Sequence, residues 1–274
     1  MTSVPIGASV VTSRVRRAVR ALRGVLFFIV WIPYLLLFAG PFQRFIIWPV
    51  VLLLPARRTR LTGAWLRHQG RVVLWLARLT AGVRVTIRGS IPDEPVVAIM
   101  NHQSVLDIPV ALTLFHGSGP LIPTRDRYQW YVPVVSPICR LLQFPFITQR
   151  PETLDQDLRA LSNAAERVAL GVNSLLIYAE GHRSRDGQVG RFMRRGPRLI
   201  LSHAKRPVYI IVADGMWGAR TTTDALVGLA NSRVRVLIAG PFTPPPSDDA
   251  GEFLDQLHEA MVASLAELRR EDSA

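Results

Sequence analysis

Residues 24–55 constrain this chain more than any other stretch. "GVLFFIVWIPYLLLFAGPF" (24–42) carries no charge, Gln43 and Arg44 interrupt it, and "FIIWPVVLLLP" (45–55) resumes it. Basic "RVRRAVRALR" (14–23) precedes the pair and "ARRTR" (56–60) follows it. A helix that crosses a bilayer needs about 20 apolar residues. The first segment barely reaches that length and is interrupted at Pro33 and Pro41, and the second is too short alone. Positive charge favours the cytoplasmic side of a membrane, so one crossing would put one basic flank on the wrong side. A helical hairpin or re-entrant pair over 24–56 keeps both flanks cytoplasmic and is the arrangement expected, with a single span as the alternative. A cleaved signal peptide fits poorly, because the apolar run is too long and no small-residue cleavage site follows directly.

Composition points the same way. Hydrophobic residues make up 49% of the 274 and charged residues 19%, against roughly 25% charged in soluble domains. Mean hydropathy is +0.22, more apolar character than a normal core absorbs. Formal net charge is +13, nearly all of it from arginine, since Lys205 is the only lysine. Nucleic acid, an anionic membrane or acidic substrates would each suit that charge. A GC-rich genome would produce the arginine bias with no partner at all. Cys139 is the single cysteine, which excludes an intramolecular disulfide framework and most zinc sites.

Residues 61–82 read as a helix with Trp65, Leu66, Val72, Val73, Leu76 and Leu79 on one side and Arg67, Arg71 and Arg78 dispersed among them. That pattern suits a membrane interface and equally an ordinary core helix. From residue 83 the pattern changes. Short β-branched runs at 83–88, 96–100, 144–148, 174–179, 208–213 and 234–239 alternate with helical stretches such as 151–171, which argues for an α/β domain. The expected organisation is a basic N-terminal segment (1–23), membrane hairpin or re-entrant helices (24–56), an amphipathic interfacial helix (57–82), the α/β domain (83–246) and a C-terminal amphipathic helix (247–274). "PFTPPPSDD" (241–249) reads as the linker to that last helix.

Three polar clusters follow strand candidates: "NHQSVLD" (101–107), "QR" ending at Arg150, and "EGHRSRDG" (180–187). Ligands of open α/β sheets bind beyond the carboxyl ends of strands, so the clusters can converge on one site. His102 with Asp107 suits a general base and the carboxylate that fixes its tautomer, provided His102 lies in the turn and Asp107 in the first helical turn. Ser104 and Asp107 equally resemble a capping box, and one segment can do both. Arg183 and Arg185 suit phosphate, and Gly181 permits a tight turn. "RDG" alone is an ordinary turn signal. His68, His116, His182 and His203 lack metal-ligand spacing.

Taken together, these residues resemble the glycerolipid acyltransferases, specifically the 1-acyl-glycerol-3-phosphate acyltransferase family. That family carries N-H-x-x-x-x-D, matched by Asn101, His102 and Asp107, and a strand ending in arginine, matched by "FPFITQR" at Arg150. Its E-G-x-R-S block is matched by Glu180, Gly181, Arg183 and Ser184, and the usual continuation into an aromatic-basic-basic-Gly run resembles "RSRDGQVGRFMRRG". Its proline-led apolar strand resembles "RPVYIIV" (206–212). The resemblance spans roughly residues 83–240. His182 stands where the family usually has threonine, Ile210 where it usually has a second proline, and Arg125, Arg194 and Arg195 where lysines are common.

The resemblance implies a mixed, mostly parallel sheet flanked by helices, with an N-terminal membrane-embedded helical segment. It implies O-acyl transfer to lysophosphatidic acid, giving phosphatidic acid, on the cytoplasmic face of the inner (plasma) membrane. His102 would deprotonate the acceptor hydroxyl, Asp107 would orient it, and the hydroxyl would attack an acyl thioester directly. Arg150, Glu180, Gly181 and Arg183, with Asn101 and Ser184, would hold the acceptor. No metal, cofactor or covalent intermediate is called for. The thioester of acyl carrier protein or coenzyme A is the co-substrate, an anionic membrane is the surface partner, and nucleic acid is not a partner. Two other readings stay open: the same chemistry on lyso-ornithine lipid, whose amine would need an acidic partner, and a non-catalytic membrane-surface or nucleic-acid-binding protein. A hydrolase would need a G-x-S-x-G elbow, which the chain lacks.

Overall fold

A computed structural model of the protein describes residues 6–130, 132–245 and 250–271. Parts of the expected basic segment (1–5), the linker (246–249) and the C-terminal segment (272–274) lie outside the described residues.

The apolar run does not fold back before Leu54, contrary to the hairpin or re-entrant pair expected over 24–56. It continues α1 (Ile6–Pro33) through a π turn (Tyr34–Ala39), α2 (Gly40–Phe42), a second π turn (Gln43–Ile47) and α3 (Trp48–Leu53). From Arg14 to Leu53 this single helix is long and apolar enough to cross a membrane. Gly40 N–H donates to Leu35 O and Trp48 N–H to Gln43 O, so each widened turn closes just ahead of Pro41 or Pro49. A proline lacks the N–H and its ring clashes with the carbonyl four residues back, and a turn one residue wider accommodates both defects. The chain reverses only at Leu54 (φ −122°, ψ 63°), the residue before Pro55, where helical geometry is disfavoured.

Helix α4 (Arg58–Ala81) then runs back along the first helix. Trp65 Nε1 donates to Gln43 Oε1, and Tyr34 and Gln69 are hydrogen-bonded farther along, which fixes the antiparallel pairing. A helical hairpin therefore exists, but its second arm is α4. Trp65, Leu66, Val73 and Leu76 are buried in core contacts with the first helix and with α5 (Asp107–Leu114). Leu79 leaves the expected apolar side: it is 67% exposed, and Trp75 beside it is 60% exposed.

The first helix is docked at two points along its length. Arg23 Nη1 donates to Asn231 Oδ1, and Gly24 approaches Leu226 of α9 (Thr222–Gly228) so closely that a Cβ would lie 2.0 Å from its carbonyl oxygen. Gln43 Nε2 donates to Val134 O at 2.9 Å. Phe27, Ala39, Gln43 and Val51 are buried on this docked side, while Ile29, Leu37, Phe38 and Phe45 are exposed.

The sheet comprises β1 (Arg84–Arg88), β2 (Val97–Met100), β3 (Pro120–Leu121), β6 (Ser174–Ile177), β7 (Val208–Asp214) and β8 (Arg233–Phe242), in the order β1-β8-β7-β2-β6-β3. Every neighbouring pair is parallel except β7–β8. The central strands β2 and β6 are buried throughout, as expected of strands covered on both faces, which read as unbroken apolar runs. The run at 144–148 departs from expectation. Only Phe146–Ile147 (β5) forms a strand, and it pairs with β4 (Thr124–Arg125) in a separate two-stranded sheet.

Helices α6 (Val135–Leu142), α7 (Leu154–Ala169) and α8 (Arg195–Ala204) complete the shell with α10 (Gly251–Arg270). Phe253, Leu254, Leu257, Met261, Leu265 and Leu268 recur at helical spacing on α10 and are all buried. Their burial belongs to the same core as the sheet.

Candidate active site

The parallel pair β2 and β6 brings two of the polar clusters together at its carboxyl end. His102 lies two residues past Met100, and Asp107 is the first residue of α5. His102 Nδ1 lies 2.7 Å from Asp107 Oδ2. The same oxygen accepts from Gln103 N–H at 2.6 Å and Ser104 N–H at 2.8 Å. Asp107 is fully buried, and His102 keeps 14% of its side chain exposed. With Nδ1 committed, Nε2 is the nitrogen left to meet a ligand.

The cap and the His102–Asp107 pair coexist, although the capping box is half formed. Asp107 reaches back to Ser104 N–H, but the Ser104 hydroxyl donates to Ala219 O and accepts from Leu106 N–H. The bound turn amides pin the carboxylate, and the pinned carboxylate orients the imidazole.

A cavity of about 1120 Å³ opens in front of His102. Eight arginines contribute to its lining, Arg150, Arg183, Arg185 and Arg220 among them, and among the described residues Asp157 is the only acid there. Ile108, Ile122, Leu158, Leu161 and Ile177 supply an apolar wall. Arg150 reaches this cavity from the small β4–β5 sheet and not from the main one. Its backbone is set by Asp157, whose carboxylate accepts from Thr148 N–H at 2.9 Å and Gln149 N–H at 2.8 Å. Gln149 takes a left-handed backbone (φ 60°), a conformation that costs about 1–2 kcal/mol for a residue with a side chain and that these bonds hold in place.

Gly181 and Arg183 face the cavity as expected. Gly181 also has a left-handed backbone (φ 72°), and a Cβ there would fall 2.2 Å from Met193 Sδ. Arg183 Nη1 donates to Arg220 O at 3.0 Å, while its buried Nε has no hydrogen-bond partner among the described residues.

Three residues expected to touch the acceptor do not face the cavity. Asn101 is 1% exposed, and its amide both donates to Ala213 O and accepts from Ala213 N–H, each at 2.8 Å, clamping β2 to β7. Glu180 is 2% exposed and accepts from His102 N–H at 2.9 Å and Gly190 N–H at 2.8 Å. Burial pushes the Glu180 carboxyl up, and those two amide bonds oppose the rise. Ser184 is 4% exposed, receives Gly187 N–H and donates to Asp186, while its own N–H donates to His102 O at 2.7 Å. All three fix the loop that carries His102. A motif groups residues by chemistry and order, and it does not separate a ligand contact from a brace.

Two contributors carried no signal of their own in the sequence. Asp157 reads as an ordinary acid in the first turn of a helix. Tyr178 reads as the end of a strand, yet its ring stacks on His102 with centroids 4.1 Å apart and planes 23° from parallel.

Comparison with known proteins agrees with this geometry. The Acyltransferase family model matches residues 82–213. The 1-acyl-sn-glycerol-3-phosphate acyltransferase of Pseudomonas aeruginosa is 32% identical over 193 residues, 67% of this chain and 68% of that protein. The human 1-acyl-sn-glycerol-3-phosphate acyltransferase alpha is 24% identical over 201 residues, 72% of this chain and 69% of that one. The crystal structure of the 1-acyl-sn-glycerophosphate (LPA) acyltransferase PlsC from Thermotoga maritima superposes with a TM-score of 0.72 at 19% identity, over 93% of this chain and 98% of that one. At that identity the likeness is one of fold.

Proposed function

The chain belongs to the 1-acyl-sn-glycerol-3-phosphate acyltransferase family and is an acyltransferase, and from that premise we propose that it transfers an acyl chain from a thioester to the free hydroxyl of lysophosphatidic acid, forming phosphatidic acid. The observation that carries this reading is the arginine-lined cavity in front of the His102–Asp107 pair, whose one acid, Asp157, is already occupied by backbone amides. Such a lining favours a phosphate headgroup over the amine of lyso-ornithine lipid, which would need a free carboxylate. Arg183 and Arg150 are the cations we assign to the phosphate, and the isoleucine and leucine wall takes acyl chain.

In the reaction, His102 Nε2 accepts the hydroxyl proton as the oxygen attacks the thioester carbonyl carbon. Asp107 stabilises the imidazolium that forms. Collapse of the tetrahedral intermediate breaks the carbon–sulfur bond, and the thiolate leaves with the proton held on Nε2. General-base help of this kind contributes about 10²- to 10⁴-fold, and holding the two substrates together supplies much of the rest. The donor is the thioester of acyl carrier protein or coenzyme A, and the arginine rim suits the negative charge of either.

We place the first helix in the plane of an anionic membrane surface. Its docking points at Arg23 and Gln43 lie about 30 Å apart at ~1.5 Å per residue, which equals the whole hydrocarbon thickness of about 30 Å. A perpendicular helix would carry the attached α/β domain into the lipid. A helix lying flat buries Ile29, Leu37, Phe38 and Phe45 and leaves the domain in water on the cytoplasmic side, near the basic residues' preferred leaflet.

The test is acyl transfer by the full chain in vesicles, with lysophosphatidic acid or lyso-ornithine lipid as acceptor and either thioester as donor, beside His102→Ala. Transfer to lysophosphatidic acid that disappears in the variant is expected. Transfer only to lyso-ornithine lipid would overturn the phosphate assignment, and activity that survives His102→Ala would overturn the base.

A further inference from the structure

We propose that Tyr178 is a positioning residue for acyl transfer, its ring acting as a flat support that holds the His102 imidazole with Nδ1 on Asp107 and Nε2 toward the cavity. The inference rests on the reading of His102 as the base.

The hydrogen bond between Nδ1 and Asp107 tolerates a spread of angles, so small rotations of His102 about χ1 and χ2 still tilt the ring plane. Asp107 is immobile, since it is fully buried and holds two turn amides besides the histidine. What remains is the orientation of the ring plane. The Tyr178 ring supplies that restraint, lying 4.1 Å from the imidazole centroid and 23° from parallel. A flat ring contact is favourable beyond the area it buries and so favours one tilt of the imidazole over its alternatives.

The support is itself rigid. Ile177 pairs in register with Ile99 across β6 and β2, so Tyr178 and the residues after Ile99 leave the sheet side by side. Tyr178 O accepts from Gly181 N–H at 2.9 Å, and Glu180 holds His102 N–H at 2.9 Å. Two residues from one strand end thus address the base: Glu180 takes its backbone and Tyr178 its ring.

The hydroxyl plays a different part. It is buried with no hydrogen-bond partner among the described residues. Burial and the Asp107 carboxylate push the phenol well above its usual range, with Arg183 opposing them. It therefore stays neutral, and the positioning role needs nothing from it. The ring is the operative group.

The experiment compares Tyr178→Phe, which keeps the ring, with Tyr178→Leu and Tyr178→Met, which remove it while keeping bulk. His102→Ala is measured alongside. We expect Tyr178→Phe to keep kcat within about twofold. We expect the ringless variants to lose about 10- to 100-fold in kcat, in line with the cost of a misplaced reacting group, with KM for lysophosphatidic acid changed less than about twofold. Circular dichroism and thermal melts identify any variant that fails to fold, and Met covers that outcome for Leu. A loss confined to KM, or a Tyr178→Phe defect equal to that of Leu and Met, would overturn the proposal. Full activity in His102→Ala would instead overturn the reading beneath it.

Discussion

The cavity has two banks, and they are built on opposite plans. At the base, the anchoring groups are committed: Asp107 Oδ2 serves three donors, Asn101 spends both ends of its amide on Ala213, and Glu180 holds two amides, while Asp107 Oδ1 and the Tyr178 hydroxyl have no partner among the described residues. At the rim, Arg150 and Arg185 are exposed, and Arg183 gives one bond to Arg220 and keeps a buried Nε unpaired. The contrast follows from what each bank must do. Proton transfer depends on one geometry, and an error of about 1 Å costs about 10²-fold. Anion binding depends on charge and must be reversible, so long cationic side chains that retain some freedom suit it. Rigidity is concentrated where the bond changes occur.

If that division holds, variants should separate by the parameter they move. The largest effect is expected at His102→Ala, a fall of about 10²- to 10⁴-fold in kcat with KM for the acceptor nearly unchanged, read from steady-state kinetics in vesicles. A KM effect of that size instead would place His102 in binding and erase the contrast. Asn101→Ala comes next. It leaves the N–H and C=O of Ala213 without partners in a buried place, which costs about 1–3 kcal/mol per group. For a domain of this size we expect a melting point lowered by about 5–10 °C, with kcat reduced and KM little affected. An Asn101→Ala enzyme of wild-type stability and raised KM would return Asn101 to the role of a substrate contact.

How much of this could be read from the chain differs between the banks for physical reasons. His102 and Asp107 were legible because a base and its acid must sit close, and a spacing of five across a turn into a helix brings them there. Arg183 was placed in the site by the E-G-x-R-S resemblance, since its loop alone reads as a turn, and it does line the cavity. Asn101, Glu180 and Ser184 looked like ligand contacts, since their types suit a headgroup, and only the β2–β7 and β2–β6 neighbours reveal that they are spent on backbone. Tyr178 was hidden because an aromatic at a strand end has an ordinary explanation. Strands β3 and β4, of two residues each, are too short to show a period. The prolines misled for a similar reason: a proline ordinarily ends a helix, yet Pro33 lies within α1, and i→i−5 turns just ahead of Pro41 and Pro49 let the helix continue.

The smaller effects belong to the rim. Arg183→Ala should raise KM for lysophosphatidic acid about tenfold, the equivalent of one charge-assisted bond partly screened by water, with kcat within about threefold. The wild-type KM should rise with added salt, as screening of partly exposed charges requires, and the variant should respond less. Asp157→Asn tests the boundary between the banks, because Asp157 is a fixed group in the service of a mobile one. Its carboxylate holds the N–H groups of Thr148 and Gln149, and through them the left-handed Gln149 that presents Arg150. Asparagine offers one acceptor oxygen where aspartate offers two, so one amide loses its partner and the turn loosens. Because Arg150 can still reach the phosphate from several backbone positions, we expect KM to rise only about threefold, the effect of roughly 0.6 kcal/mol, with kcat unchanged. A fall in kcat at constant KM would show that the β4–β5 turn shapes the reacting geometry after all, and the rigid bank would then extend across the cavity to Arg150.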